Sequence, residues 1–122
     1  MKTRKTLHIV CKKNWYQMEE SGEKPEDYRE ITSYWIKRLC RYGNGGFYGV
    51  DNNCINGGCP FKMPSCTRKA IPTDVDKICI HYGRTARCMT FECNGIYIGR
   101  GVEKWGAPAD RKVFILKLGK RV

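Results

Sequence analysis

Residues 14–31 read Asn14-Trp15-Tyr16-Gln17-Met18-Glu19-Glu20-Ser21-Gly22-Glu23-Lys24-Pro25-Glu26-Asp27-Tyr28-Arg29-Glu30-Ile31. They divide into a short helical pattern, a glycine break and a strand-like run. Asn14 is the expected N-cap, because its side chain can accept a bond from a first-turn N–H. Trp15, Tyr16 and Met18 supply the apolar residues of that helix. Gly22 then permits the left-handed turn that closes it. Asp27 to Ile31 reads as a strand, whose two-residue period sends Asp27 and Arg29 to one side and Tyr28 to the other. Lys24, Asp27 and Arg29 are thereby expected to converge as two cations and one carboxylate. Such a set suits an anionic or amide-bearing ligand.

Working outward, Leu7 to Cys11 alternates weakly as a first strand. Thr32 or Ser33 caps a second helix with Trp35, Ile36, Leu39 and Cys40 on one face. Lys37, Arg38 and Arg41 complement its C-terminal end, and Gly43 stops it. Residues 43–73 are rich in Gly, Pro and Cys and read as an irregular insertion, with a short hairpin near Phe47 to Val50. Beyond Val75 the pattern is β. Ile78, Ile80 and Tyr82 alternate, and Gly83-Arg84 turns the chain. Met89, Phe91 and Cys93 then share a face opposite Cys88, Thr90 and Glu92. Asn94-Gly95 is a tight-turn signal, expected to separate this strand from a short one at Ile96 and Ile98. Trp105 to Pro108 makes a rigid turn, and Val113 to Leu118 forms the closing strand. The expectation is a single α+β domain over 1–122, a small β-barrel with two N-terminal helices and a cysteine-rich insertion loop.

The net charge of +11 is unevenly spread. Residues 1–18 carry five basic and no acidic side chains, whereas 19–30 hold half of the chain's twelve acids. A basic surface thus surrounds an acidic motif, which favours polyanionic partners, nucleic acid first. No apolar run approaches the roughly 20 residues of a membrane span. The basic start is followed by an apolar stretch too short for a secretory signal, so the cytoplasm is the expected location.

In a reducing compartment the eight cysteines argue for thiols or metal ligation over disulfides. Cys54, Cys59 and Cys66, with Cys40 or Cys79 as a fourth, form the candidate structural zinc set. The alternative is that these are buried or idle thiols, with no cofactor. His8 and His81 fall on apparent strands away from that loop.

The chain resembles ASCH domains of the PUA-like superfamily, in particular the small single-domain proteins of phages and bacteria. The resemblance rests on Asn14-Trp15-Tyr16 and Met18, Ser21-Gly22-Glu23-Lys24, Asp27-Tyr28-Arg29-Glu30-Ile31 and Tyr34 to Leu39. Gly95-Ile96-x-Ile98-Gly99-x-Gly101, Trp105 to Pro108 and Phe114-x-x-x-Leu118-Gly119 extend it in the same order. It implies a pseudo-barrel with a cleft that binds RNA or a modified nucleoside. The family's Gly-x-Lys-x-x-Glu-x-Arg pattern falls on Gly22, Lys24, Asp27 and Arg29, with aspartate in place of glutamate. Trp35 or Trp105 is the expected stacking platform for a base. One branch of the family hydrolyses 4-acetylcytidine through a lysine and a threonine of this motif. Lys24 matches that lysine, but Asp27 stands where the threonine would be. The alternative reading is therefore a small amidohydrolase with Lys24 as general base and Asp27 or Glu92 orienting water. A third is a zinc-stabilised module whose insertion binds a protein.

Overall fold

The computed structural model describes residues 5–39, 69–71, 73–109 and 111–122. The elements run β1 (Lys5–Cys11), α1 (Lys13–Ser21), β2 (Glu26–Arg29), α2 (Ser33–Leu39), β3 (Lys69–Ile71), β4 (Val75–Tyr82), β5 (Cys88–Gly99) and β6 (Val113–Arg121). A 3-10 turn over Glu103–Trp105 precedes β6. Among the described residues the result is a small mixed α+β protein: a curled half-barrel sheet with two helices.

The six strands form one sheet in the order β1-β4-β5-β6-β2, with β3 also paired to β5. β1 lies parallel to β4, and the other pairs are antiparallel. Strand β5 is what curls the sheet. Its first part pairs with β4 through Cys88 to Glu92, and its second with β3 through Ile96 to Ile98. Register shifts against β6 between Phe91 and Ile96 mark the bend, as bulged residues increase local twist.

Alternation along the strands builds the core. Leu7, Ile9 and Cys11 point inward from β1, to meet Ile78 and Ile80 of β4 and Met89, Phe91, Ile96 and Ile98 of β5. Val113 to Leu116 are buried without alternation, so β6 is covered on both faces. Tyr16 of α1 packs edge-on against Tyr82, ring centroids 5.1 Å apart, and Leu39 brings α2 into the same core. Among the described residues no helix is long and apolar enough to cross a membrane.

Several local expectations change. Helix α1 begins at Lys13 behind Lys12, which makes no side-chain capping bond, so Asn14 is not the N-cap. Gly22 does close the helix, at φ 86°. The second strand is Glu26–Arg29 rather than Asp27 to Ile31. Thr32 caps α2: its hydroxyl accepts from Trp35 N–H at 3.4 Å and its carbonyl from Ile36 N–H at 2.8 Å. Asn94-Gly95 does not turn the chain. It is the irregular point within the continuous strand β5, because partners on both edges outweigh the local turn preference. Lys69–Ile71, expected inside the insertion, forms strand β3. The hairpin near Phe47 to Val50 lies outside the described residues.

Candidate functional site

β1 and β2 are the two terminal strands of the sheet path, and the curl brings them face to face. No ladder joins them among the described residues. Side chains bridge the seam instead. The Arg29 guanidinium donates through Nη2 to the Val10 carbonyl at 3.1 Å and to Cys11 Sγ at 3.4 Å. The Cys11 thiol donates to Asp27 Oδ1 at 3.4 Å. An edge-strand carbonyl that would need a neighbouring strand is thus satisfied by a cation.

Lys24, Asp27 and Arg29 meet at this seam. Arg29 Nε donates to Asp27 Oδ2 at 2.6 Å, and Lys24 Nζ lies 3.9 Å from Asp27 Oδ1. Strand alternation places Asp27 and Arg29 together, while the Lys24 backbone is anchored by its N–H to the Met18 carbonyl at 3.0 Å. Lys24 and Asp27 are 3% and 2% exposed, so both charges sit largely out of water.

A fourth group that the sequence reading missed completes the cluster. Glu19 of α1 is 1% exposed, with Oε2 3.5 Å from Lys24 Nζ. Burial, then the adjacent Asp27 charge, push its carboxyl up to about 9, although Lys24 pulls the other way. Glu19 therefore carries its proton at neutral pH. Burial, reinforced by Asp27 and Glu19, raises the Cys11 thiol as well, which makes it a protonated donor and not a nucleophile. Burial opposes the Arg29 charge, but Asp27 outweighs it and holds the guanidinium above its ordinary value.

Cys11, Lys24, Asp27 and Arg29 line a cleft of about 230 Å³ whose walls include Trp15, Tyr28, Trp105 and Gly106; Glu19 touches Lys24 but is not among the lining residues. Lys24 Nζ lies 4.8 Å from the Trp15 ring centroid and 5.5 Å from that of Tyr28. Tyr28 is fixed by its hydroxyl, which donates to Glu26 and accepts from Val102 N–H at 2.9 Å. Among the described residues the Trp105 indole N–H is buried without a hydrogen-bond partner. A buried donor left unpaired is costly, so a ligand acceptor at this wall would relieve it. A wider, shallower groove of about 610 Å³ runs along α1 past Asn14, Gln17, Ser21 and Glu23 and shares Trp15. It lacks the charge cluster, so the chemistry belongs to the smaller cleft.

Trp35 is not part of the cleft lining. It packs against the core and holds Arg29, whose Cζ lies 5.2 Å from its ring centroid. Glu92 is exposed on β5 opposite Lys77, away from the cleft. Cys40, Cys54, Cys59 and Cys66 lie outside the described residues. Cys11, Glu19 and Asp27 could in principle ligate an ion. Asp27 is already engaged by Arg29 and Lys24 lies alongside, so a divalent cation there would face two positive charges.

Gly101 marks how closely the wall is packed. A Cβ there would lie 2.5 Å from Ala107 Cβ and 2.7 Å from the Tyr28 ring. Gly101→Ala is expected to destabilise by about 1–3 kcal/mol through overpacking and to displace Tyr28. Urea unfolding checks the first effect, and an unchanged midpoint would contradict this packing.

Compared with known proteins, the chain matches no family model, no curated protein and no solved structure.

Proposed function

We propose that the seam cleft binds a single nucleobase of RNA, or a modified nucleoside, and that the protein is an ASCH-type, PUA-like binding module. One observation carries the reading: Lys24, Asp27 and Arg29 share a small aromatic-walled cleft, and Trp105 of that wall holds a buried indole donor without a partner among the described residues. At about 230 Å³ the cleft falls below the roughly 300–1,000 Å³ of drug-sized sites. It suits one planar ring. Aromatic walls supply sequence-tolerant stacking, and the Trp105 N–H and Arg29 offer donors to base carbonyls. Asp27 offers an acceptor to an exocyclic amine. The remainder of a longer ligand would follow the polar groove along α1, while the excess of Lys and Arg attracts its phosphates.

Binding is tested by titrating cytidine, 4-acetylcytidine and a short single-stranded RNA across a salt series. RNA affinity is expected to fall with salt, whereas free-nucleoside affinity stays nearly flat. Arg29→Ala should weaken both by at least about tenfold, near 1.4 kcal/mol. Trp105→Phe keeps an aromatic face but removes the donor and part of the stacking surface, so a loss of at least about 0.5–1.5 kcal/mol is expected. Binding unaffected by either change would place the ligand elsewhere.

The amidohydrolase alternative draws on the buried, proton-carrying Glu19 carboxyl beside Lys24. There Lys24 would serve as base only in its neutral form, taking a proton from water while Glu19 protonates the departing amine. Release of acetate from 4-acetylcytidine, abolished in Glu19→Gln, would support it. Binding without turnover favours the module.

A further inference from the structure

We propose that His8, Cys79 and His81, completed by Cys88, form a Zn2+ site on the sheet face opposite the core. None of the four lines the seam cleft.

Its origin is topological. The parallel pairing of β1 and β4 sets His8 opposite Cys79, and the antiparallel pairing of β4 and β5 sets His81 opposite Cys88. Their strand neighbours Leu7, Ile9, Ile78, Ile80, Met89 and Phe91 face the core, so alternation turns these four residues to the other side. Two imidazoles and two thiols, from three strands, are gathered on one small patch.

The distances fit a metal. His8 Nδ1 lies 3.0 Å from His81 Nε2, and Cys79 Sγ lies 3.6 Å from the same His81 nitrogen. All three ligand atoms fall within 4.8 Å of one another. With Zn–N near 2.0–2.1 Å and Zn–S near 2.3 Å, tetrahedral geometry requires edges of about 3.3 Å for N···N and about 3.6 Å for S···N. The second edge is met as it stands, and the first needs a widening of about 0.3 Å. Cys88 is exposed at the rim, on β5 directly opposite His81. Rotation of its side chain would bring the fourth ligand in.

Two thiolates balance the ion's charge, and mixed Cys and His ligation suits zinc over the hard cations magnesium and calcium. Binding follows Zn2+ + 2 RSH + 2 His → Zn(SR)2(His)2 + 2 H+. The thiol protons leave to solvent and no oxidant is needed. Such a clip would pin the edge strand β1, whose Val10 and Cys11 form one side of the seam.

The test uses the full chain, stripped with chelator and kept reduced with a phosphine, titrated with Co2+ as the spectroscopic probe and then with Zn2+. Visible absorption of tetrahedral thiolate-bound Co2+ is expected at one equivalent, displaced by Zn2+, with about two protons released per Zn2+. Zn2+ should also raise the thermal midpoint by several degrees. His8→Asn and Cys88→Ser alter exposed residues and should fold normally, so they carry the test alongside Cys79→Ser. Each should weaken Co2+ affinity at least about tenfold, while Cys54→Ser/Cys59→Ser/Cys66→Ser leaves this binding intact. Signal lost in the triple variant but retained in His8→Asn and Cys88→Ser would overturn the proposal. So would absence of Co2+ binding by the folded wild-type chain.

Discussion

Asp27→Ala is expected to destabilise the protein by about 3–5 kcal/mol, the range for removing one partner of a buried ion pair. The carboxylate is 2% exposed and accepts from Arg29 and Cys11 while facing Lys24. Its loss leaves two cations in a poorly solvated seam and frees the Val10–Arg29 bridge to drift. Glu19 provides partial compensation. Without its like-charged neighbour its carboxyl becomes easier to ionise, and it already lies 3.5 Å from Lys24. The cost should therefore sit towards the lower end of the range for Asp27→Ala alone. It should rise when Glu19→Gln is added, because no carboxylate then remains for Lys24. The double variant is expected to lose more than the sum of its singles, as for residues sharing one network. Urea midpoints at pH 7 measure all three. Strict additivity, or a cost below about 1 kcal/mol for Asp27→Ala, would mean that the cluster is not the buried network described.

Glu19→Gln has a different signature, which appears in pH dependence. In the unfolded chain the carboxyl gives up its proton near 4.5, whereas in the folded protein it keeps it up to about 9. Between those values the folded state binds the additional proton, so stability must fall as pH rises. The slope is at most about 1.4 kcal/mol per pH unit. The contribution is fully present below about 4.5 and is lost as pH passes through about 9. Glutamine has the same shape and stays neutral, so it removes that slope. The variant should gain stability relative to wild type steadily from pH 5 to pH 9. Groups common to both proteins cancel in the difference. Parallel stability curves across this window would show that Glu19 is ionised in the fold.

What the sequence discloses and what it hides divides along contact range. Gly22 as a left-handed helix stop, Thr32 as a cap and the shared side of Asp27 and Arg29 all follow from local rules, with partners within a few residues. Lys24 joins them because the turn is short. Glu19 was illegible for the opposite reason. On α1 it reads as another surface acid beside Glu20, and only the arrival of Cys11 from β1 and the Asp27 strand buries it. A capping or periodicity rule carries no information about that arrival. Asn94-Gly95 misled because a strong turn pair was overridden by strands on both sides of β5. The His8, Cys79 and His81 group depends on a parallel pairing between residues about seventy positions apart. Trp35 and Trp15 exchanged roles: the first supports Arg29 from the core side, while the second walls the cleft.

The indole N–H of Trp105 offers the most direct view of the proposed recognition site. In an amide-correlation NMR spectrum of 15N-labelled protein, titration with 4-acetylcytidine or cytidine should move the Trp105 side-chain resonance in a saturable manner as it gains an acceptor. The Trp35 indole, outside the cleft lining, should move far less. Shifts confined to the basic surface, with the Trp105 indole unmoved at saturation, would contradict nucleobase binding at the seam.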